Sequence, residues 1–348
     1  GLTVKFPTET PNHVFTTPNE GQQLLLDHCR NRLWACRVLS RSKMKELIGS
    51  KVKITDKLVK SLEKDFNDDP NPLEEAIKAG AIDKKEEMEI RSHFKEYVKT
   101  FLTLNWNPDP QAALNTDGFF KIQTDMLKAT GDLDWYRTDR SDYGFEIDEE
   151  FVNSHPDNQK LQVLTDTVLA AHQSGEKQLI FAVNKNLHYK IRDMLVSSGV
   201  PENEIVIVNG DEVKESDERL KISKDFNSGK YKVVIGNYAT MGEGLNFQNG
   251  TSKIHHLQTT WNHLPVQQGN GRGIRQGNPR ETVDTYYYLA KGSVDSFMNQ
   301  KILDKRNMVD SFVRGEGDWE DDIYMDSDQM IIETARNPEQ AAKLLDLQ

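Results

Sequence analysis

From residue 119 onward, short apolar runs alternate with longer stretches whose apolar residues recur every three or four positions. The short runs have the length and composition of buried strands, and the longer stretches have the periodicity of amphipathic helices. The predicted strands are 178–183, 204–208, 232–236, 253–257 and 285–289, and the predicted helices between them are about 158–174, 186–198, 216–227 and 266–274. Such alternation predicts an α/β fold, a parallel sheet with helices on both faces.

The flanking segments have a different character. Residues 1–18 contain three prolines and are expected to be extended, because proline does not continue a helix. The helical patterns that follow, at about 20–48, 56–66 and 73–99, include no apolar run typical of a buried strand. We therefore expect a helical linker or insertion at 1–118, the α/β domain with a closing brace helix at 119–312, and an acidic tail at 313–348.

The charge balance counts against a protein that coats nucleic acid through its overall charge, because the net charge is −11 at pH 7. The charge is uneven along the chain. Residues 30–60 hold ten basic and two acidic side chains, whereas residues 310–348 hold eleven acidic and three basic ones. The basic helical region is either a solvated helix face or a surface that contacts phosphates.

The two cysteines, Cys29 and Cys36, lie seven residues apart on one predicted helix. That spacing suits neither a zinc site nor a redox pair, so we expect reduced thiols and a cytoplasmic protein. No apolar run reaches the length of about 18 residues that a membrane-spanning helix needs. His255 and His256 are neighbours on a predicted strand and would face opposite sides of the sheet, so no metal site is expected.

The most informative motif is Gln268-Gly-Asn-Gly-Arg272-Gly-Ile-Arg275. On a helix its three long polar side chains would share one face, because residues three or four apart are neighbours. Two guanidiniums on one face suit the oxygens of a triphosphate. The three glycines each weaken a helix by about 1 kcal/mol relative to alanine, so we expect something to press closely against this segment. By itself, the motif also fits a surface helix with two solvated arginines.

A second motif, Gly242-Glu243-Gly244-Leu-Asn246, follows the predicted strand 232–236. Ligands of open α/β sheets bind at the carboxyl ends of the strands. Glycine there lets the backbone approach a ribose or a phosphate, and an asparagine side chain can hold the loop. Turns of this kind are common, so this motif alone indicates little.

Together the two motifs resemble motifs V and VI of superfamily-2 helicases, most closely those of the Swi/Snf-type double-stranded DNA translocases. That family has a Gly-x-Gly-hydrophobic-Asn loop, a strand, a Trp-Asn-Pro turn and a Gln-x-x-x-Arg-x-x-Arg-x-Gly segment. The matching residues are Gly242, Gly244, Leu245, Asn246, Trp261, Asn262, Gln268, Arg272, Arg275 and Gly277. The likeness covers about 119–312. The chain is also similar to helicase-like proteins of phages and plasmids that are associated with DNA methyltransferases.

This resemblance implies a RecA-like lobe with defined site residues. Arg275 would be the arginine finger, Arg272 would hold the γ-phosphate or couple the lobes, and Gln268 would orient the nucleotide or the attacking water. The ATP-binding loop would comprise Gly242, Glu243, Gly244 and Asn246. Contacts with the DNA backbone would come from Asn184, Lys185, Asn209, Gly210, Asn237 and Thr240. Contacts of that kind read phosphate and shape instead of sequence.

The sequence lacks a phosphate-binding Gly-x-x-x-x-Gly-Lys-Ser/Thr loop and a magnesium-binding acidic strand end. We therefore expect ATP and Mg²⁺ to be held with an N-terminal RecA-like lobe, in cis or in trans, and this chain alone to be inactive. The first residue, Gly1, and the incomplete site favour a piece of a longer polypeptide. The expected partners are double-stranded DNA and a DNA methyltransferase, in the cytoplasm of a prokaryotic or phage-infected cell.

The predicted function is thus the C-terminal motor lobe of an ATP-dependent double-stranded DNA translocase. Two alternatives stay open at this point. One is a nucleic-acid-binding or scaffold module that has lost catalysis, and the other is a helicase that separates strands. Three departures, Ile274, Asn278 and His263, count against a chromatin remodeller.

Overall fold

The computed structural model describes residues 6–39, 55–68, 71–80, 82–94, 117–134, 147–242, 244–260 and 263–293, with residues 295 and 339. Several predicted features lie outside the described residues. They are the end of the helix predicted at 20–48, nearly all of the brace helix and of the acidic tail, and three residues of the motifs, Glu243, Trp261 and Asn262.

The described residues form six strands and eleven α-helices. The strands are β1 (Thr8–Thr16), β2 (Lys177–Phe181), β3 (Ile205–Val208), β4 (Val233–Gly236), β5 (Thr251–His256) and β6 (Thr282–Ala290). The helices of the first 153 residues are α1 (Glu20–Leu39), α2 (Asp56–Asp68), α3 (Asn71–Lys78), α4 (Lys84–Ser92), α5 (Asp117–Gly131) and α6 (Glu149–Asn153). The remaining helices are α7 (Gln159–Gln173), α8 (Lys185–Ser197), α9 (Ser216–Asn227), α10 (Tyr238–Met241) and α11 (His263–Asn270).

All six strands are parallel and form one sheet in the order β1-β6-β5-β2-β4-β3. The prediction of a parallel sheet flanked by helices, as in a RecA-like fold, is confirmed. The central strand β2 lies with Ile180 opposite Ile235 of β4 and His255 of β5. Because neighbouring parallel strands point the same way, the loops after β2, β3 and β4 emerge at the same edge of the sheet.

The sheet has an apolar core on each face, because successive residues of a strand point to opposite sides. One core includes Phe181, Val234, Phe247, Ile254 and Tyr287, all buried. The other core includes Ile180, Ile235, Leu164, Leu257 and Tyr288. With both faces covered, the central strands read as continuous apolar runs, which is why the sequence predicted them.

Strand β1 was missed by the sequence analysis. The prediction of an extended segment is correct, and the structure shows that this segment is a strand of the sheet, because Thr8–Thr16 pairs with β6 over nine residues. An edge strand needs no continuous apolar run, and it tolerates Pro11 because one side of it makes no ladder hydrogen bonds. The sheet therefore draws on both sides of the boundary that was predicted at residue 118.

The helical part before residue 118 differs from its prediction in one respect. The stretch predicted as one helix at 73–99 is two helices, α3 and α4, within the described residues. Gly80 takes a positive φ of 71° between them. Asp83 then begins α4 as its N-cap, accepting a hydrogen bond from the backbone nitrogen of Glu86 at 2.8 Å. Such a cap satisfies a backbone donor that a new helix would leave unpaired.

Candidate functional site

The segment 268–275, here called the arginine segment, is only partly helical. Helix α11 ends at Asn270, so the prediction of a helix through residue 274 is wrong at its end. The chain continues as turns, in which the amide of Arg272 donates to Gly269 O at 3.2 Å and that of Ile274 to Asn270 O at 2.8 Å. The three glycines explain this early end, because glycine disfavours a continuing helix.

Both arginines of this segment reach the loop that follows β4. Nη1 of Arg272 donates a hydrogen bond to the carbonyl oxygen of Leu245 at 3.2 Å, and its Nη2 donates to that of Gly242. Nη1 of Arg275 donates to Oδ1 of Asn246. The two sequence motifs, which are about 20 residues apart along the chain, therefore meet at the carboxyl end of β4.

The groups that hold these two guanidiniums do not neutralise their positive charges. In the described part of the chain their hydrogen-bond partners are carbonyl and amide oxygens, not carboxylates. Burial lowers the pKa of Arg272, and the nearby charge of Arg275 lowers it further. Nε of Arg272 is buried and has no hydrogen-bond partner among the described residues. An unpaired, charged donor is costly, and an oxyanion would relieve that cost.

Gln268 lies close to Gly242 in the loop that follows β4. A Cβ placed on Gly242 would be 2.8 Å from the carbonyl oxygen of Tyr238 and 4.0 Å from Oε1 of Gln268. A side chain at position 242 would therefore collide with the backbone of α10. Gly244 is exposed and has a positive φ of 69°, which other residues rarely adopt. Glu243, between them, lies outside the described residues.

Two glycines of the arginine segment are needed for contact with the sheet. A Cβ on Gly269 would lie 2.9 Å from the ring of Phe181, and one on Gly273 would lie 2.6 Å from Cγ2 of Thr251. The expectation that something presses on this segment is met by the sheet itself at these two positions. Gly271 is different, since its nearest neighbour would be the backbone oxygen of Gln268 at 3.4 Å.

The residues predicted to contact DNA follow three neighbouring strands at this same edge of the sheet. They are Asn184 and Lys185 after β2, Asn209 and Gly210 after β3, and Asn237 and Thr240 after β4. Nζ of Lys185 lies 3.3 Å from Oδ1 of Asp211, and it would lie 3.7 Å from a Cβ on Gly210. The first two loops are therefore adjacent, with Lys185 and Gly210 exposed.

Two of the three asparagines predicted to contact DNA, Asn209 and Asn237, bind their own loops. Asn209 is fully buried, and its Oδ1 accepts the amides of Asp211 and Glu212 at 3.0 and 3.1 Å. Oδ1 of Asn237 accepts the amide of Thr240 at 3.0 Å as the N-cap of α10. Short polar side chains often hold turns in this way. These side chains shape the edge beside the exposed Lys185 and Gly210.

Gln258 was missed by the sequence analysis, although it is a polar residue just after a predicted strand. Its Oε1 accepts the amides of Val183 and Asn184, both at 3.0 Å. Its Nε2 donates to Oδ1 of Asn184 at 2.8 Å and to the carbonyl oxygen of Leu127 at 3.2 Å. This buried amide therefore fixes the loop after β2 and joins it to helix α5.

The neighbouring histidines of β5 face opposite sides of the sheet, as predicted. Nδ1 of His255 lies 2.8 Å from the hydroxyl of Tyr288, and Nδ1 of His256 lies 2.6 Å from that of Tyr238. Among the described residues, no group of three or more His, Cys, Asp or Glu side chains could hold a metal ion. No described helix is both long and apolar enough to cross a membrane.

A comparison with protein families matches residues 159–277 to the helicase conserved C-terminal domain. Residues 159–277, about a third of the chain, are therefore similar to that domain. The matched residues include strands β2 to β5, the loop after β4 and the whole arginine segment. Both motifs that meet at one edge of the sheet thus lie within the matched region.

Among individual proteins, the chain is similar to the Defense against restriction protein B of Escherichia phage P1. The two are 30% identical over 129 residues, which are 37% of this chain and 6% of that protein. The chain therefore spans only a small part of the length of this relative.

Two solved structures are also similar. The C-terminal part of the Fun30 ATPase domain has a TM-score of 0.46 at 15% identity and covers 98% of both chains. The S. cerevisiae Dbp5 structure with RNA and ADP BeF3 has a TM-score of 0.34 at 21% identity, covering 41% of this chain and 35% of that one. Both scores are below 0.5, so neither likeness assigns a function to this chain.

Proposed function

We propose that this chain is the C-terminal motor lobe of an ATP-dependent, Swi/Snf-type translocase on double-stranded DNA. The observation that carries the proposal is the meeting of Arg272 and Arg275 at the carboxyl end of β4, with neutral oxygens as their described partners. Two adjacent positive charges that lack a described carboxylate partner favour a polyanion. A nucleoside triphosphate bound at this edge would supply the missing negative charge.

Each residue of the arginine segment has a distinct proposed role. Arg275 stabilises the charge that develops on the transferred phosphoryl group, and Arg272 holds the γ-phosphate or couples the two lobes. Gln268, exposed at the end of α11, orients the nucleotide or the attacking water. The loop 242–246 lies against the ribose.

The proposed site is half of a nucleotide cleft. Guanidiniums bind phosphate oxygens but not Mg²⁺, which prefers carboxylates, hydroxyls and water. We therefore assign the phosphate-binding loop and the magnesium ligands to an N-terminal RecA-like lobe. When bound between the lobes, ATP with Mg²⁺ supplies the phosphoryl group, and this chain orients it and stabilises its charge.

The proposed path of the DNA runs along the loops after β2, β3 and β4. Lys185 and Gly210 are exposed there and can meet a phosphate with a charged amine and a backbone amide. The buried Asn209 and the half-buried Asn237 hold backbone amides of these loops in place. Such contacts do not read base sequence, as suits a motor that moves along DNA.

The name of the phage P1 relative, a protein of defence against restriction, supports a setting for this motor. We propose that it acts on DNA in the cytoplasm of a prokaryotic or phage-infected cell, in company with a DNA methyltransferase.

The test replaces Arg275 by alanine in the polypeptide that contains both lobes. DNA-stimulated ATP hydrolysis should fall by about 10³-fold or more, the effect typical of an arginine finger. Arg280→Ala is the matched control, because Arg280 is half-exposed and pairs with Glu176 at 3.7 Å, away from the loop 242–246. The control should retain hydrolysis.

Two outcomes would overturn parts of this proposal. Full hydrolysis in Arg275→Ala would remove the finger assignment. A wild-type protein that binds DNA but hydrolyses no ATP would favour the silent binding module. Displacement of a triplex-forming strand from duplex DNA, without separation of the duplex, is the expected behaviour of a translocase, whereas strand separation would favour a conventional helicase.

A further inference from the structure

A chain of buried hydrogen bonds lies beneath the arginine segment. The hydroxyl of Tyr238 lies 2.6 Å from Nδ1 of His256, and Nε2 of His256 lies 2.7 Å from Oδ1 of Asn270. Nδ2 of Asn270 donates to the hydroxyl of Tyr287 at 3.2 Å. The four side chains come from α10, β5, α11 and β6, so the chain joins four elements of the fold.

The donor and acceptor roles in this hydrogen-bond network are defined at Asn270. The amide nitrogen of Asn270 is used by Tyr287, which leaves its oxygen to accept a hydrogen bond from Nε2 of His256. At the other end of this network, the hydroxyl of Tyr238 lies within hydrogen-bond distance of both Nδ1 of His256 and the carbonyl oxygen of Gln258. All these groups are buried, so breaking one link would leave an unsatisfied polar group in the interior.

One end of the chain reaches the loops that we assign to DNA. Tyr238 is the first residue of α10, whose cap is Asn237. Its hydroxyl also lies 3.2 Å from the carbonyl oxygen of Gln258, the residue that fixes the amides of Val183 and Asn184. A displacement of the loops after β2 or β4 therefore reaches His256 through hydrogen bonds.

The other end of the chain reaches the arginines. Asn270 is the last residue of α11, and its carbonyl oxygen accepts the amides of Gly273 and Ile274 at 3.2 and 2.8 Å. These bonds form the turns that carry Arg272 and Arg275. The position of the Asn270 side chain is thus tied to the position of the two guanidiniums.

Stacked aromatic rings pack closely around these hydrogen bonds. The rings of Phe181 and Tyr238 are 4.7 Å apart and nearly parallel, and those of His256 and Tyr287 are also 4.7 Å apart. Gly269 rests directly on the ring of Phe181, which also stacks with His256 at 5.4 Å. A well-packed layer of this kind transmits a displacement instead of absorbing it.

We infer that His256 is a positioning residue that couples the DNA-contacting loops to the arginine segment. Contact with DNA would hold α10 and the loop after β2, and Tyr238, His256 and Asn270 would carry that constraint to Arg272 and Arg275. The inference rests on the proposed function, and it adds a route for the stimulation of hydrolysis by DNA.

The sheet offers a matched control on its opposite face. Tyr288 donates to or accepts from Nδ1 of His255 at 2.8 Å, and Nε2 of His255 lies 2.7 Å from Oε1 of Gln178. Tyr238→Phe and Tyr288→Phe each remove one buried hydroxyl beside one buried histidine and keep the ring. The two variants should lose similar stability, because a buried hydrogen-bonding group is lost in each.

The experiment compares these variants in the polypeptide that contains both lobes. Tyr238→Phe should reduce the stimulation of kcat by saturating duplex DNA at least tenfold, with less than twofold change in the rate without DNA, in KM for ATP and in Kd for DNA. Tyr288→Phe should keep the wild-type stimulation. Equal loss of stimulation in both variants would show a general effect of stability and overturn the inference.

Retention of wild-type stimulation in Tyr238→Phe would also overturn it. A wild-type protein without DNA-stimulated hydrolysis would contradict the proposed function before the variants are compared, so the two failures are distinguishable. His256→Gln provides a second variant in the same assay, and it should match Tyr238→Phe in its loss of stimulation.

Discussion

The contacts of the sheet with its flanking helices and the contacts of helix α1 with α4 and α5 differ in the side chains that they bury. In the sheet, both faces are covered by aliphatic and aromatic side chains. Helix α1 instead buries charged groups against its neighbours: Arg30 pairs with Glu86 of α4, and Arg32 pairs with Asp125 of α5 at 2.7 Å. The side chains of Arg32 and Asp125 are only 4% and 1% exposed.

The two kinds of contact should respond differently to the substitution of one buried side chain. Truncating a buried apolar side chain costs its transfer free energy and a cavity term, but it leaves no polar group or charge unsatisfied. A buried ion pair is a single directional contact, and losing one partner leaves an uncompensated charge in the interior. We therefore expect the contact of α1 with α5 to open as a unit while the sheet stays intact.

The largest expected effect is that of Arg32→Met, which removes the partner of Asp125 and keeps an apolar stem. Breaking a buried pair in this way costs about 3–5 kcal/mol. Cys29 reports the opening, because it is fully buried on α1 and burial raises the pKa of its thiol to about 12. In a Cys36→Ser background, alkylation of Cys29 in Arg32→Met should be accelerated by about 10²-fold or more.

The control for this prediction adds Asp125→Leu to Arg32→Met, which removes both charges. The double variant should recover most of the lost protection of Cys29, because replacing both partners by apolar groups is often neutral. Hydrogen exchange of the amides in β2 and β4 should be unchanged in all variants. Equal acceleration of exchange in those strands would show that the two regions unfold together, contrary to the comparison.

The fold of the sheet was predictable from sequence because its central strands are buried on both faces. The five predicted strands differ from β2 to β6 by no more than a few residues at their ends. Strand β1 was missed because an edge strand buries one side and needs no apolar run. The ion pair of Arg32 with Asp125 was beyond sequence reasoning, since it joins residues 93 apart whose pairing depends on how two helices pack.

The candidate site was predicted in part. The sequence indicated that the arginine segment and the loop after β4 belong together, and their contacts agree with that prediction. It did not indicate that α11 ends at Asn270, because the close approach of Gly269 and Gly273 to the sheet depends on tertiary packing. Nor did it indicate the role of Gln258, since one residue type serves equally in a solvated loop and in a buried network.

An intermediate effect should arise from pH, and it concerns the sheet. Burial lowers the pKa of His255 to about 3 from its ordinary value of 6.5, with a smaller contribution from Lys253. Below pH 6.5, His255 binds a proton in the unfolded chain but not in the folded sheet. The free energy of unfolding therefore decreases as the pH falls from 6.5 towards 3. The slope from this one group is about 1.4 kcal/mol per pH unit, or about 2 kcal/mol between pH 6.5 and 5.

Urea denaturation of the wild type and of His255→Gln at pH 7 and pH 5 measures this contribution. Other groups titrate in both proteins, so the informative quantity is the difference between their two losses of stability. The wild type should lose about 2 kcal/mol more than the variant. Equal losses would mean that His255 is protonated in the folded sheet, and the sheet would then hold a buried charge as the helical region does.

The smallest expected effect tests whether the arginine segment belongs to the closely packed region. Gly273→Ala should cost about 1 kcal/mol, the low end of the range for overpacking, because the turn can shift away from Thr251. That shift moves Arg272 and Arg275, so DNA-stimulated hydrolysis should fall more than stability does. Gly271→Ala is the matched control. Its φ is not positive and its new methyl group would meet no atom closer than 3.4 Å, so it should be neutral or slightly stabilising. If both alanines reduced hydrolysis equally, loss of glycine flexibility would be the cause, and contact between the arginine segment and the sheet would not set the position of the guanidiniums.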